Sequence, residues 1–253
     1  MSNNNNNSLG IQRGNYQWTL PAPLLLILGR LACIPLQHAI ISSNAFNAHP
    51  SALTNPPAPS FWPSTLPSPP APSPLTVFLG MTGVLVLKQS VWAFCISAEA
   101  MTLRFALFGV LADFVYEGVC ALAFSGAPRN PLWRPAFVHV GAAVHALAAA
   151  VELGAELQRK RFKDEPRNRG RLCTTGLWGV VRHPNFAMNV VYGAAYGFAA
   201  AGPLFAVLPV AMYLGNFITN AIPPKEVYMK EKYGEQWEKY RRVVRWKLCP
   251  GVY

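Results

Sequence analysis

The chain has 253 residues, 52% of them hydrophobic and only 13% charged. Soluble domains carry about a quarter charged residues, so this composition excludes an ordinary cytosolic enzyme and points to a membrane protein. The formal net charge of +11, from 22 Lys+Arg against 11 Asp+Glu, calls for anionic surroundings such as phosphates or acidic lipids.

Residues 1–17 open with a run of asparagines and read as disordered. Residues 18–43 are apolar but contain Pro21, Pro23, Pro35 and Arg30. They lack a basic start and a small-residue cleavage site, so a first membrane helix is favoured over a signal peptide. Residues 44–74 are rich in Pro, Ser, Ala and Asn and read as an extended linker. Residues 75–253 then form one membrane domain with apolar blocks at 75–96, 101–125, 135–157 and 186–222. The last block is too long for one span and is interrupted by Gly202-Pro203, a pair that breaks a helix, so it reads as a hairpin of two short helices. The expected fold is all-α: a polytopic membrane protein of about six spans, with a C-terminal helical hairpin and a cytoplasmic amphipathic tail.

The position of the charge refines this reading. Of the 22 basic residues, eight fall in 158–182 and eight in 223–253. Both stretches cap apolar blocks, and a hairpin between them returns the chain to the side it left. The positive-inside rule then places both stretches, and the C-terminus, in the cytoplasm. A nucleic-acid-binding protein would instead carry its basic residues on a soluble domain, so no nucleic acid partner is expected.

Ionisable groups at membrane depth are costly and face a partner or a cavity. Asp113 and Glu117 are four apart and share a helix face, with Tyr116 beside them. They are the candidates for a proton relay or for a grip on a substrate hydroxyl, the plain alternative being an interfacial pair. Glu152 and Glu156 repeat the spacing ahead of a basic run, where a helix-end salt-bridge cluster explains them equally well. His139 and His145 are six apart and do not share a face, so packing is favoured over metal binding. The five cysteines (Cys33, Cys95, Cys120, Cys173 and Cys249) form no CxxC pair, and no metal site is expected.

The most informative stretch is Gly176-Leu177-Trp178-Gly179-Val180-Val181-Arg182-His183-Pro184-Asn185-Phe186. A second pattern follows the hairpin: Glu226, then Lys232-Tyr233-Gly234, Trp237 and Tyr240, with Leu248-Cys249-Pro250-Gly251-Val252-Tyr253 at the end. Together they resemble the steroid 5-alpha-reductase-like and sterol C14-reductase C-terminal membrane family. The isoprenylcysteine carboxyl methyltransferases and phospholipid methyltransferases belong to the same superfamily. Lys88-Gln89-Ser90-Val91-Trp92, Ile96-Ser97-Ala98-Glu99-Ala100-Met101 and Glu152…Glu156-Leu157-Gln158-Arg159 are similar to a fungal subgroup of that family. The resemblance covers about residues 75–253.

The residues themselves suit a cofactor. Arg, His and Asn put cationic and neutral donors on one short turn, Pro184 opens a helix, and further cations arrive from the tail. The resemblance implies NADPH as that cofactor and the double bond of a lipid, enone or sterol-like molecule as substrate. On this reading Arg159, Lys163, Arg182 and Asn185 are candidates for its phosphates and amides. His183 would orient the nicotinamide or ribose, and Asn168, Asn189 and Glu226 would add polar contacts. Tyr233, Trp237 and Tyr240 offer rings to stack on a base. Tyr116, Glu117 or Asp113 would donate the proton or hold the substrate oxygen. The resemblance also implies an endoplasmic reticulum membrane. Two departures stand out: Phe186 replaces the family's tyrosine, and Asn189 stands where an acid is often found. The alternatives are methylation of a prenylcysteine or lipid with S-adenosylmethionine, and a non-catalytic membrane scaffold.

Overall fold

The computed structural model describes residues 11–12, 15–43, 45–46, 51–55 and 72–253. Most of the expected disordered N-terminus and most of the Pro-rich linker lie outside the described residues. The helices are α1 (Pro21–Ser42), the single turn α2 (Ser51–Thr54), α3 (Pro74–Val91), α4 (Leu103–Gly126), α5 (Ala136–Asp164), α6 (Pro184–Ala201), α7 (Pro203–Asn216), α8 (Ile222–Tyr233) and α9 (Glu235–Val243). Among the described residues the one β contact is an isolated bridge between Gln12 and Ala100. The chain is an all-α polytopic membrane protein.

The helix boundaries follow local chemistry. Pro21, Pro74, Pro184 and Pro203 each stand at the first helical position, where a missing N–H is harmless and the fixed φ suits the helix. Ser73 and Thr102 cap α3 and α4 by accepting from Thr76 N (3.2 Å) and Phe105 N (3.1 Å). Gly202, at φ +90°, makes the break between α6 and α7, a conformation that a side chain resists. Among the described residues five segments are long and apolar enough to cross a membrane: Pro21–Ser42, Pro74–Ile96, Leu103–Arg129, Ala136–Asp164 and Pro203–Tyr233. Helix α6 is the remaining segment expected from the sequence. It has 18 residues but is not among the five, and Asn185, Asn189, Tyr192 and Tyr196 give it a polar stripe at helical spacing.

The described residues divide into two compact units: those up to Ala142 together with Phe198–Gly202, and Ala143–Gly197 together with Pro203–Tyr253. In the first unit α1 packs against α4 and α3. Its core joins Ala22 and Leu26 to Met101, Ala106 and Val110, and Gly29 lets the helices close, because a Cβ there would overlap Val110. Phe78 stacks on Phe124 at 4.3 Å, and Trp133 meets Phe124 edge-on. Trp133 Nε1 donates to Ala199 O (3.2 Å) and Asn130 Nδ2 to Ala201 O (3.2 Å), which ties the loop after α4 to the residues before the Gly202 break.

In the second unit α6 and α7 approach closely, since a Cβ on Gly193 would overlap Tyr213 and one on Gly197 would overlap Pro209. Two apolar clusters build the end of the chain. One joins Leu172 to Trp237, Tyr240 and Val244, and the other joins Phe217 and Ile222 to Leu248.

Candidate functional site

The Arg182-His183-Pro184-Asn185 turn lies in the second unit and is bonded to the tail. Arg182 N–H donates to Trp246 O and His183 N–H to Lys247 O, each at 2.9 Å. The Arg182 guanidinium donates to Val244 O (3.0 Å), Arg245 O (2.9 Å) and Glu226 Oε1 (3.0 Å). Arg182 is buried, so its charge needs this carboxylate and these carbonyls. Residues 244–247 are thus laid along the signature turn by backbone bonds, with one arginine as the clasp.

His183 is 1% exposed, and burial pushes its pKa from 6.5 down to about 4, against the opposing pull of Glu226. It is therefore neutral at physiological pH. Its Nε2 stands 3.4 Å from Glu226 Oε1, the same oxygen that takes Arg182, and a carboxylate can only accept. The proton accordingly sits on Nε2, and Nδ1 presents a lone pair. That Nδ1 is buried and has no hydrogen-bond partner, and neither has the buried Asn185 Oδ1. Two acceptors without donors on one helix entrance are unusual, because nearly all buried polar atoms are satisfied.

Around this turn the candidate residues divide by role. Lys225, next to Glu226, is buried with its ammonium over the rings of Phe186 (4.5 Å) and Trp178 (5.7 Å). Arg159 lies over the Trp178 ring at 5.2 Å and pairs with Glu156, so the tryptophan meets two cations. Phe186 stacks on Phe217 at 4.6 Å. Lys163 donates to Arg171 O (2.9 Å) and to the Tyr233 hydroxyl. Asn168 is buried and donates to Phe162 O (3.0 Å), where it closes the turn after α5. Asn189 Nδ2 donates to Asn185 O and its Oδ1 accepts from the Tyr192 hydroxyl, both at 2.6 Å. Trp237 and Tyr240 are buried in the tail's own core. The Tyr240 hydroxyl donates to Trp178 O at 2.6 Å, and burial pushes its phenol up.

Two open cavities lie in this unit. One of about 280 Å³ is bordered by Glu226, Lys230, Arg241 and Lys247, a cationic surplus over apolar Ile222 and Val227. The other, of about 550 Å³, is bordered by Arg171, Lys239, Leu172 and Tyr240, with Asn168 on its wall.

Asp113, Glu117 and Tyr116 belong to the first unit. Arg30 Nε donates to Asp113 Oδ2 at 2.8 Å, and its other nitrogens pair with Asp113 Oδ1 and reach Glu117 Oε1 at 3.8 Å. Glu117 is fully buried, and its Oε2 accepts from Gln37 Nε2 (2.6 Å) and Thr82 Oγ1 (3.0 Å). One cation from α1 therefore faces two acids from α4, with a polar residue from each of α1 and α3 completing the layer. Sequence reasoning saw Arg30 only as a blemish in an apolar block. A lone arginine at that depth demands an acid, and Asp113 and Glu117 were available to answer it. Lys225 was likewise counted only as tail charge, although its place between Pro224 and Glu226 at an apolar boundary marks it. His145, read as a packing residue, is fully buried, with Nδ1 3.0 Å from Tyr192 O. Among the described residues no cluster of metal-ligating side chains occurs.

With this geometry in place, comparison with known proteins gives the family. The family described as "Protein of unknown function (DUF1295)" matches residues 88–244, more than half of the chain. The chain belongs to this family. It is 28% identical over 128 residues to a Delta(14)-sterol reductase of Ascobolus immersus, a match that covers 44% of this chain and 29% of that protein. It is 31% identical over 117 residues to the Delta(14)-sterol reductase erg24 of Schizosaccharomyces pombe, covering 40% and 27%. It is also 25% identical over 146 residues to the "Probable O-methyltransferase ustE" of Ustilaginoidea virens, covering 54% and 51%. The matched stretch is about half the length of these relatives at most. These likenesses accord with the steroid 5-alpha-reductase-like resemblance carried by the two sequence motifs.

Proposed function

We propose that this protein is a membrane-embedded NADPH-dependent reductase of a C=C bond in a sterol-like or enone lipid. Its second unit would hold the cofactor, and the tail would act as the cover. The observation that carries this reading is the pair of orphaned buried acceptors, His183 Nδ1 and Asn185 Oδ1, on the turn whose Arg182 and His183 amides bond to Trp246 O and Lys247 O. Acceptors repel phosphate and call for donors, and a nicotinamide NH2 group or ribose hydroxyls supply them. The phosphates would take the cationic cavity beside Glu226, where Lys230, Arg241 and Lys247 lie. Bound NADPH would supply the hydride, and solvent would supply the proton that completes the reduction once the tail lifts.

The chain's own residues do the rest. Neutral His183 and Asn185 fix the polar end of the ring by accepting hydrogen bonds. Glu226 holds the histidine tautomer, and Arg182 keeps the tail closed so that water is excluded. Arg159, Lys163 and Lys225 add positive potential, while Asn168, Asn189, Tyr233, Trp237 and Tyr240 keep the walls in place. We read Asp113 and Glu117 as partners of Arg30 that hold α1 on α4, rather than as the proton source, and we assign Tyr116 no chemical step. The reading also implies residence in the endoplasmic reticulum with a cytoplasmic C-terminus. Protease protection of a tag at Tyr253 in intact organelles would overturn that orientation.

Methyl transfer is the second reading. The O-methyltransferase relative is matched over more of both chains than either reductase above, and the ribose and amine of S-adenosylmethionine also offer donors to the two acceptors. Thermal stabilisation of the detergent-solubilised protein separates the two. NADPH at a hundredfold excess over its Kd should stabilise the folded state by about 3 kcal/mol and so raise the unfolding temperature, and His183→Ala should abolish the shift. Stabilisation by S-adenosylmethionine alone would replace the reductase reading with the methyltransferase one, and no shift with either would favour a scaffold.

A further inference from the structure

The side chains of Lys239, Arg242 and Arg245 are exposed and form no ion pair among the described residues. Beside them Val243 is 76% exposed and Trp246 39% exposed, although both follow directly from the buried core of α9. Glu238, the nearest acid on that helix, is occupied by Arg241 at 3.5 Å. The open cavity of about 550 Å³ adjoins this strip, with Arg171 and Lys239 on its border and Leu172, Val243 and Val244 as apolar lining. Cations interleaved with an exposed tryptophan and valine are a pattern for the headgroup level of a bilayer. The chain is already anchored in a membrane by its apolar helices, so such a surface is within reach.

We propose that the 239–246 strip docks on acidic phospholipids, with a lipid phosphate taken by Arg171 and Lys239 and with Val243 and Trp246 entering the interface. The consequence is regulatory. The same residues bracket the segment that Arg182 and His183 hold: Val244 O and Arg245 O accept from the Arg182 guanidinium, and Trp246 O and Lys247 O accept from the two backbone amides. A bilayer that grips the strip therefore holds the tail on the Arg-His-Pro-Asn turn, and a neutral bilayer lets it lift. The attraction amounts to about fivefold per basic residue near an acidic surface, and it weakens with salt.

The test is hydrogen exchange of the full chain in nanodiscs, either of phosphatidylcholine alone or with phosphatidylserine added. The amides of residues 239–248 should exchange at least about tenfold more slowly in the acidic discs, and high salt should erase the difference. The K239Q/R242Q/R245Q variant should lose that protection while α1 and α4 exchange as in the parent, which separates lost docking from lost folding. The salt arm on the unaltered protein tests the same point without any substitution. Equal exchange in both discs would overturn the proposal. So would equal protection by inorganic phosphate or soluble glycerophosphoserine in neutral discs, because either would mean a small-anion site rather than a membrane surface. Neither arm uses a nucleotide, so the result does not depend on the reductase reading.

Discussion

Replacing Arg30 with Met should cripple the first unit. Met keeps most of the side chain's length and apolar stem but removes the cation that Asp113 and Glu117 share. Glu117 is fully buried, Asp113 is mostly buried at 15% side-chain exposure, and Gln37 and Thr82 donate to only one Glu117 oxygen. Breaking a buried ion pair from one side costs about 3–5 kcal/mol, because the remaining charge has nowhere to go. At about 2–4 °C per kcal/mol for a chain of this size, the unfolding temperature in detergent should fall by roughly 6–20 °C. The companion variant R30M/D113N/E117Q removes all three charges and keeps groups that can still hydrogen-bond, so it should regain most of the loss. Deleting residues 1–60 removes Arg30 and Gln37 together. On sequence grounds that deletion looks harmless to the second unit's motifs, but the pairing makes α1 part of the α4 packing. Unfolding followed by circular dichroism and by monodispersity on size exclusion reads both outcomes. If R30M unfolds within a degree of the parent, or if the triple variant is worse than R30M, the network does not hold α1 to α4 and the reasoning fails.

Three further outcomes follow from the second unit. Gly176→Ala should destabilise by about 1–3 kcal/mol, since the residue sits at φ +60° and a Cβ would overlap the Gln158 side chain; denaturant unfolding measures it. Stability should decline as pH falls from about 6.5 towards about 4, because His183 takes up a proton in the unfolded chain before it does so in the folded one. The linked loss is roughly 3 kcal/mol, and His183→Gln should flatten that part of the pH profile. Glu226→Gln leaves Arg182 buried against a neutral amide, so the amides of residues 244–247 should exchange faster while those of α6 do not; unchanged exchange there would remove Glu226 from the clasp.

Much of the fold could be read directly because its signals are local. Apolar blocks of about 20 residues, prolines at first helical positions and the Gly202-Pro203 interruption each act within one or two turns of chain. The polar stripe of α6 is written in the sequence at the same spacing, inside a hydrophobic block. What could not be read was the partner of each buried charge. Arg30 and Asp113 are 83 positions apart, and nothing in either neighbourhood names the other. Only the requirement that a buried charge be answered links them, and several acids could have met it.

The candidate site shows the same limit from the other side. Arg182, His183, Asn185 and Glu226 were legible as a set because two motifs flank one hairpin, and the structure gathers Arg182 and His183 around a single carboxylate oxygen of Glu226 and a single stretch of tail. Their division of labour was not legible. A basic residue in a motif suggests a phosphate ligand, but Arg182 spends four hydrogen bonds, counting its backbone N–H, on Glu226 and residues 244–246. Histidine beside arginine suggests a second cation, but burial keeps His183 neutral and turns Nδ1 into an acceptor. Aromatic residues in the tail suggest stacking platforms, but Trp237 and Tyr240 are the core that lets so short a tail hold its shape. On the proposed reading, desolvation decides what each residue does there: the arginine closes, the carboxylate orients, and the two atoms left without partners are those on which a ligand would settle.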